Sequence, residues 1–547
     1  MNRNTEMKFS TVPSVKIQRS LFDRSTQNKL SLNAGELIPI LVDEYLPGDT
    51  FTLDTSLVIR TSSAMIKPVM DNMYADIYYF AVPNRLVWKH WKEFMGENTS
   101  GPWTQTTEYT IPQITAPTNG WDIGTIADYI GLPVKVSGIT VSSLYFRAYA
   151  LIWNEYFRDE NLQNPTNVPM TDATETGTNN GVLETDACKG GKPLPVCKYH
   201  DYFTSALPEP QKGAAVNLPL GIQAPVVTRE IITNADEFNP LVWNKHSNTG
   251  TIQNIQLNDS TTGGITLATG SSQPGENIQE IAPANLWTDL SKATAATINQ
   301  LRQAFAIQRL YERDARGGTR YIEIIKSHFN VNSPDARLQR PEYLGGKRIP
   351  INVEQVVQTS STNSTTPQAN VAAYSLTNDK SNSFTKSFTE HGMLIGLMCI
   401  RTEHTYQQGI NKMFTRQRRF DYYWPTLANL GEQAILNKEI YAQGTTKDEE
   451  AFGYQEAWAE YRYKPSQVCG EMRSKATNSL DVYHYADNYE ELPKLGQEWI
   501  QETKNNIDRT LAVPSTTSQQ FIADIFFKYR CARPMPTTSI PGLLDHN

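Results

Sequence analysis

The feature that most constrains the fold is an alternating segment close to the end of the sequence. In residues 521–531, apolar side chains occupy every second position, and three of the five positions between them are charged: Asp524, Lys528 and Arg530. A period of two is typical of a strand with one buried and one exposed face. The same alternation occurs near the start of the chain, in residues 51–59 and 75–81. Because strands are predicted near both ends of the chain, we expect them to belong to one sheet structure, in which the last strand comes from the C-terminal part of the chain.

One continuous apolar run and two helical patterns fit this architecture. Residues 393–400 are apolar on both parities, which is typical of a strand buried on both faces. Residues 144–156 carry apolar side chains at helical spacing, with Ser143 placed to cap that helix. Residues 298–316 show a second helical pattern that ends at a Gly-Gly pair. The predicted fold class is mainly β, a β-sandwich or jelly roll with large loop and helical insertions.

Two stretches rich in Ser, Thr, Asn and Gly interrupt the strand pattern. The first starts at about residue 161, and the second covers about 358–383. Loops of this length in a compact protein are usually functional surface excursions or small subdomains, and a disordered linker is the alternative. We therefore divide the chain into an N-terminal arm with the first strands (1–160), a surface insertion (161–291), and a C-terminal part with a helix, the remaining strands and an arm (292–547).

Charge is distributed unevenly along the chain, whose net charge is −7. Residues 161–291 hold 13 acidic and 6 basic residues, which leaves 44 of each sign elsewhere. Residues 1–30 and 401–420 each carry a net charge of +4, and residues 301–350 carry +5. This asymmetry favours one face that meets an anionic partner and another that is kept away from it. Ordinary fluctuation along a long chain is the alternative.

The segment NKMFTRQRRFDYYWP is the strongest candidate for a binding site. Its cations suit phosphates and its aromatic rings suit stacking on unpaired bases, which favours single-stranded nucleic acid. With two residues of the basic N-terminal arm, the predicted DNA contacts are Arg3, Lys8, Lys412, Arg416, Arg418, Arg419, Tyr422, Tyr423 and Trp424. The alternative is that the aromatic residues belong to the core and the arginines pair with neighbouring subunits.

No catalytic or metal-binding signature is present: the sequence has no P-loop, no zinc-binding His or Cys spacing and no EF-hand loop. We therefore predict neither a cofactor nor a metal, and no enzymatic activity. The side chains weighed for such chemistry are two Glu-His pairs and three acidic residues near a turn: Glu390-His391, Glu403-His404, Asp43, Glu44 and Asp49. We interpret the pairs as ordinary strand-end residues and the three carboxylates as solvated turn residues.

Cysteine usage and hydropathy indicate the compartment. Five cysteines are too few for a disulfide framework, and the odd number favours buried thiols in a reducing environment. A Cys188–Cys197 bridge is the alternative. The first residues lack the apolar segment of a secretory signal, and residues 393–400 are far shorter than the ~20 residues of a membrane helix. We expect neither export by that route nor insertion into a membrane.

A series of long segments carries a family resemblance. They are QRSLFDRS, LIPILVDEYLPGDTF, YYFAVPNRLVWKHWKEFMGE, RQAFAIQRLYERDARGGTRYIEIIKSHFNVNSPDARLQRPEYLGG, FTEHGMLIGL, YQQGINKMFTRQRRFDYYWP, GEQAILNKEIY, FGYQEAWAEYR and PGLLDHN. In these segments the chain resembles the major capsid protein family of microviruses, small bacteriophages with single-stranded DNA, and specifically its gokushovirus branch. The resemblance covers most of the chain outside residues 161–280 and 358–383.

The resemblance implies an eight-stranded viral jelly roll whose copies self-assemble into a T=1 icosahedral shell around circular single-stranded DNA. It implies that the 161–291 insertion forms a protrusion near the threefold axes, where contact with a host cell-surface receptor is expected. A small basic internal DNA-binding protein is a further implied partner. The implied location is the virion, after assembly in the cytoplasm of a bacterial host.

Two other classes of function stay open from the residues alone. A jelly-roll carbohydrate-active enzyme would need paired carboxylates at a fixed separation on facing strands, and nothing in the sequence marks such a pair. A non-assembling protein that binds single-stranded DNA would bind with a steep salt dependence and form no particles.

Overall fold

The structure is a computed structural model that describes residues 18–97, 108–213, 339–360 and 367–538, residue 327, and the helix and strand segments between 226 and 316. Its strands are β1 (Ser20–Asp23), β2 (Thr26–Leu32), β3 (Ile38–Tyr45), β4 (Thr50–Thr61), β5 (Met73–Pro83), β6 (Gln113–Thr115), β7 (Thr140–Ser142), β8 (Glu175–Thr176), β9 (Val226–Thr228), β10 (Trp243–Lys245), β11 (Gln253–Asp259), β12 (Ile265–Thr269), β13 (Ile281–Pro283), β14 (Leu286–Thr288), β15 (Glu342–Pro350), β16 (Val353–Val357), β17 (Val371–Ser387), β18 (Gly392–Thr402), β19 (Glu432–Leu436), β20 (Ala451–Glu456) and β21 (Phe521–Arg533). Its α-helices are α1 (Trp91–Phe94), α2 (Ile126–Ile130), α3 (Leu144–Tyr156), α4 (Ile298–Arg316), α5 (Asn437–Ile440), α6 (Ala459–Arg462) and α7 (Asn505–Asp508).

Two antiparallel sheets form the framework. One sheet has the order β2–β21–β4–β17, with β1 also paired to β21 and β16 at the far edge. The other has the order β15–β5–β18–β3. Their side chains share one hydrophobic core, so the sheets pack face to face. The eight strands β2, β3, β4, β5, β15, β17, β18 and β21 make a jelly roll, which confirms the predicted mainly-β fold class.

The core between the sheets follows from the alternation in the sequence. Along β4, side chains from Phe51 to Ile59 alternate between buried and partly exposed positions. Along β21, the side chains of Phe521, Ile525 and Phe527 are fully buried, and the intervening positions are more exposed. Full burial of an aromatic or branched aliphatic side chain contributes about 1.5–3 kcal/mol, so this regular pattern is a main source of stability.

Strand β18 is buried on both faces, as its continuous apolar run predicts. Leu394 and Met398 lie in the core between the sheets. Ile395 and Leu397 face the other way, into a second core built largely from α3 and the residues that follow it. Helix α3 is confirmed, but the predicted cap is wrong: the Ser143 hydroxyl donates to the carbonyl of Pro112 at 3.0 Å instead of capping the helix.

The predicted loop at 358–383 is wrong over much of its length. Residues from Val371 onward form β17, which pairs with β4 on one side and β16 on the other. Its buried, inward positions are Ala373, Ser375 and Thr377. Small and hydroxyl-bearing side chains at these positions remove the apolar alternation by which a strand is normally identified. The Thr377 hydroxyl accepts the backbone N–H of Asn352 at 2.8 Å, which satisfies this buried oxygen.

Two long insertions extend from the jelly roll, one between β5 and β15 and the other between β18 and β21. The chain divides into two compact units: residues Met1–Lys212 with Glu312–Asn547, and residues Gly213–Tyr311. The predicted insertion boundaries at 161 and 291 differ from these. Residues 161–212 belong to the larger unit because side chains such as Val196 and Phe203 are buried there, although the surrounding composition is polar.

The smaller unit, Gly213–Tyr311, has its own strands. They form a four-stranded sheet of order β12–β11–β10–β13 and a β14–β9 pair. The two ends of the unit are adjacent, because a Cβ built on Gly213 would lie 3.8 Å from the Tyr311 ring. Among the residues that the structure describes, no helix has the length and apolar character to cross a membrane.

Candidate nucleic-acid interface

The basic and aromatic segment lies in the insertion between β18 and β21, where it folds into three single turns of 3-10 helix. These turns are Lys412–Phe414, Arg419–Asp421 and Pro425–Leu427. The side chain of Asn411 accepts the backbone N–H of Met413 at 3.1 Å and starts the first turn. The Asp421 carboxylate accepts the backbone N–H groups of Gln417 and Arg418 at 2.8 and 2.7 Å. These hydrogen bonds lower the pKa of Asp421, so the carboxylate that fixes the loop stays charged.

Two of the predicted DNA contacts are engaged within the chain. The Lys412 ammonium donates to the carbonyl of Ala434 at 3.0 Å and lies 3.6 Å from a carboxylate oxygen of Glu439. The Arg416 guanidinium donates to Glu460 at 3.0 Å, and both side chains are only 9% exposed. A cation that already has a buried carboxylate partner adds little to the attraction of phosphate. Lys412 and Arg416 therefore brace the loop.

Arg418 and Arg419 are placed differently, because both are exposed. The Arg419 guanidinium lies 4.7 Å from the centre of the Trp424 ring, whose Nε1 donates to the carbonyl of Arg419 at 3.1 Å. Within the described ranges, no carboxylate forms an ion pair with the Arg418 or Arg419 guanidinium. Two exposed cations thus lie beside each other without an ion-pair partner in these ranges, although the charge of Arg418 contributes to the lowered pKa of the nearby Asp421 carboxylate.

The aromatic residues next to these arginines are exposed as well. Phe420 is 68% exposed, and Tyr422, Tyr423 and Trp424 are 52%, 44% and 39% exposed. The alternative that they belong to the core is therefore wrong. A cluster of large exposed rings is unusual on a protein surface and indicates a contact with another molecule. We call residues 418–424 the 418–424 surface.

Sequence reasoning missed one member of the neighbourhood. Tyr461 is 50% exposed, lies 6.2 Å from the ring of Tyr423, and stacks on the Arg416 guanidinium at 4.3 Å. Its only sequence signal is the tyrosine–arginine alternation at 461–463, far along the chain. The two predicted contacts in the N-terminal arm, Arg3 and Lys8, lie outside the described residues.

The Glu-His pairs are partly as expected. Glu390 forms an ion pair with Arg85 at 2.8 Å and His391 packs near an aromatic ring, as ordinary strand-end residues do. Glu403 accepts hydrogen bonds from two neighbouring side chains. For His404 the interpretation is wrong, since this ring is buried between the carboxylates of Asp487 and Glu502, which come from distant parts of the chain.

Of the three acidic residues near the first turn, Glu44 is exposed, as expected of a solvated carboxylate, whereas Asp43 is partly buried and Asp49 is buried. Asp43 pairs with Arg24, and Glu44 accepts the hydroxyl of Tyr145. Asp49 is fully buried and lies 3.1 Å from Arg533 at the end of β21. The interpretation is wrong for Asp49 because its partner is almost 500 residues away in sequence and gives no local signal. In the described part of the chain, no group of three or more His, Cys, Asp or Glu side chains has an arrangement that could hold a metal ion.

Both thiols of the proposed bridge are free. Cys188 and Cys197 are buried, and burial raises the pKa of each to about 12. The Cys188 thiol donates to the carbonyl of Asn167 at 3.2 Å, and the Cys197 thiol donates to the side chain of Gln163 at 3.1 Å. The preferred prediction of free thiols is confirmed, and the alternative bridge is wrong.

Comparison with known proteins places this geometry in context. Residues 10–543 match the model of the family described as Capsid protein (F protein). The chain is 44% identical to Capsid protein VP1 of Bdellovibrio phage phiMH2K over 547 residues, which cover 99% of this chain and 98% of that protein. It is 44% identical to Capsid protein VP1 of Spiroplasma virus 4 over 539 residues, 98% of this chain and 97% of that protein. Capsid protein VP1 of Chlamydia phage 1 is 40% identical over 584 residues, with the same coverage of 98% and 97%.

Proposed function

The chain belongs to the capsid protein (F protein) family and is a major capsid protein of microvirus type, and on that premise we propose that its copies close a T=1 icosahedral shell around circular single-stranded DNA. Assembly into a capsid shell and a location in the virion follow from the family. The size of the shell and the nature of the genome are proposed from the family relationship. The two long insertions of the jelly roll supply surface for head-to-tail contacts between copies that close under rotation.

The 418–424 surface is proposed to contact the genome. The observation that carries this proposal is that Arg418 and Arg419 are exposed cations beside exposed aromatic rings. The guanidinium group of arginine neutralises phosphates and stacks on bases through its planar face. The rings of Tyr422, Tyr423 and Trp424 are suited to stacking on unpaired bases. The combination favours a single strand over a duplex, whose bases already stack on one another.

The remaining partners are proposed from charge and from the family. The acidic insertion 161–291 is proposed to lie on the outside, near the threefold axes, where it would meet a host receptor and stay away from the genome. The smaller unit, Gly213–Tyr311, overlaps this insertion from residue 213 to residue 291 and forms a separate compact body. A small basic protein inside the shell and assembly in the host cytoplasm complete the proposal.

A catalytic role is not part of this function. The jelly-roll carbohydrate-active enzyme that was weighed as an alternative has no support, since the family and the similar proteins are capsid proteins. We propose that the chain is structural and transforms no substrate.

The double substitution Arg418→Ala/Arg419→Ala tests the DNA contact. We expect particles to form in normal number but to hold less nuclease-protected DNA. Each lost contact to a single strand reduces the slope of log K against log salt concentration by about 0.7, so two contacts reduce it by about 1.4. The measurements are particle yield by sedimentation, protected DNA per particle, and binding of the chain to an oligonucleotide at several salt concentrations.

The matched control is Lys89→Ala/Lys92→Ala, which removes the same charge from exposed positions of the other insertion. The control should leave both the DNA content and the salt slope unchanged. If the arginine variant instead loses particles as severely as it loses DNA, these arginines brace contacts between subunits and the proposed DNA contact is wrong.

A further inference from the structure

A second site of similar chemistry lies away from the 418–424 surface. It is a cavity of about 490 Å³ on the face of β5, β15 and β18 that points away from the core between the sheets. Its walls combine aromatic rings with guanidinium groups, among them Tyr78, Phe80, Tyr199, Tyr343, Arg348 and Arg401. We call it the Arg348–Arg401 cavity. Its volume is within the range of about 300–1,000 Å³ that is usual for small-molecule sites.

The aromatic wall is built from rings that contact one another. Phe80 and Tyr343 have ring centres 5.5 Å apart, and Tyr78 and Phe157 have ring centres 5.1 Å apart. Tyr343 is 47% exposed and lies at a register shift in the pairing of β15 with β5. Such a bulge turns a side chain out of the regular pleat, which is common next to binding sites. The rim of the cavity therefore carries a ring that is free to stack on a ligand.

The arginines give the cavity an excess of positive charge. Arg348 and Arg401 share a single carboxylate, Asp76, at 3.0 and 2.5 Å. Both guanidinium groups lie 4.2 Å from the centre of the Tyr199 ring, which fixes their position. One acid cannot neutralise two guanidinium groups, and nearby Lys198 has its own partner in Asp487. Arg158 and Asp159 also line the cavity, and their charges offset each other, so one positive charge is left over at this wall.

A donor is also left over. The Nε of Arg401 is buried and has no hydrogen-bond partner in the described part of the chain. The other nitrogens of this side chain donate to the carbonyl of Cys197, to Asp76 and to the hydroxyl of Tyr78. A buried donor without an acceptor costs free energy, and a bound anion is one way to satisfy it.

We propose that the Arg348–Arg401 cavity binds one nucleoside phosphate, with the base against the aromatic wall and the phosphate on the two arginines. A sugar phosphate without a base would leave the exposed ring of Tyr343 unused. Two of the basic segments of the sequence, 301–350 and 401–420, each contribute an arginine to the lining of the cavity. The proposal depends on the proposed function in one respect only, which is that the ligand would be a nucleotide of the packaged strand.

The test is equilibrium binding of thymidine 5′-monophosphate to the full chain, compared with deoxyribose 5-phosphate and inorganic phosphate. We expect saturable binding of one nucleotide per chain, about ten-fold tighter than either probe without a base, because stacking of a base on a ring has that magnitude. Equal affinity for all three probes, tighter binding of the sugar phosphate, or no saturable binding would overturn the proposal.

Variants locate the binding in the cavity. Arg348→Ala should weaken every phosphate probe by about ten-fold, the usual size of a charge-assisted hydrogen bond. Tyr343→Ala should weaken only the nucleotide, and it gives an independent test should Arg348→Ala fold poorly. Lys347→Ala is the matched control, since Lys347 pairs with Asp379 and does not line the cavity. Unchanged binding in both cavity variants would show that the nucleotide binds elsewhere.

The two proposals fail separately. Arg418→Ala/Arg419→Ala should leave binding of thymidine 5′-monophosphate unchanged, because the 418–424 surface does not line the cavity. Loss of nucleotide binding in that variant would assign the nucleotide to the 418–424 surface and overturn the cavity proposal alone.

Discussion

The substitution His404→Gln tests a buried charge cluster that ties both large insertions to the end of β18. The His404 ring lies 3.0 Å from a carboxylate oxygen of Glu502 and 3.3 Å from one of Asp487. Asp487 also pairs with Lys198 at 3.2 Å, and all four side chains are at most 5% exposed. Loss of the histidine charge leaves two buried carboxylates to share a single lysine.

The magnitude follows from the pKa of the ring. Burial alone disfavours the charged form, but the charges of Glu502 and Asp487 outweigh it and raise the pKa of His404 to about 10, from an ordinary value of 6.5. A raised pKa means that the stabilisation is fully present below pH 6.5 and is lost as the pH rises through 10. Linkage gives a contribution of about 4 kcal/mol at pH 7 and about 1 kcal/mol at pH 9. The value at pH 7 agrees with the roughly 3–5 kcal/mol lost when one partner of a buried ion pair is removed.

The assay is urea unfolding of the full chain at pH 7, 8 and 9. The wild-type chain should lose about 3 kcal/mol between pH 7 and pH 9 through this group. His404→Gln should be less stable by about 4 kcal/mol at pH 7 and by much less at pH 9, so the two stability curves converge. His391→Gln is the control, because this histidine lies at the other end of β18 and outside the cluster. Parallel curves for the wild type and His404→Gln would refute the reasoning.

Three further changes have definite expected outcomes. Arg416→Ala should destabilise the chain by about 3 kcal/mol in urea unfolding, since it leaves Glu460 buried without its cation, and an unchanged stability would contradict its role as a brace. Replacement of 214–310 by a short Gly-Ser linker should leave particles intact in the electron microscope, because joining adjacent ends costs little entropy, whereas deletion of 170–212 should give aggregates. If both deletions aggregate, the smaller unit is needed for folding. At pH 8 only Cys469 should react with a thiol reagent in the native chain, because it is exposed and the other four cysteines are buried; labelling of a second thiol before denaturation would contradict that burial.

The framework strands could be predicted from the sequence where each face of a strand carries side chains of one type, either apolar or polar. β21 alternates because one of its faces is buried, and β18 is apolar throughout because it separates two cores. In both strands the sequence pattern directly reflects which faces are buried. β17 could not be recognised, because its inward positions are occupied by Ala373, Ser375 and Thr377. A strand whose buried side chains are small and polar gives the same sequence pattern as a loop.

The candidate site was predictable in type but not in arrangement. The sequence marks residues 412–424 as basic and aromatic, yet nothing local separates the bracing Arg416 from the exposed Arg418. The separation depends on Glu460, which lies 44 residues further along the chain. The Arg348–Arg401 cavity was beyond sequence reasoning for the same reason, since its walls come from segments that meet only in the folded chain.

The position of β21 has a consequence for synthesis. This strand lies between β2 and β4, so the sheet is missing an interior member until residues 521–533 have left the ribosome. A polypeptide that stops before residue 521 lacks an interior strand of this sheet, so the pairing edges of β2 and β4 stay open. We therefore expect truncated products to fold incompletely and to be left out of the shell.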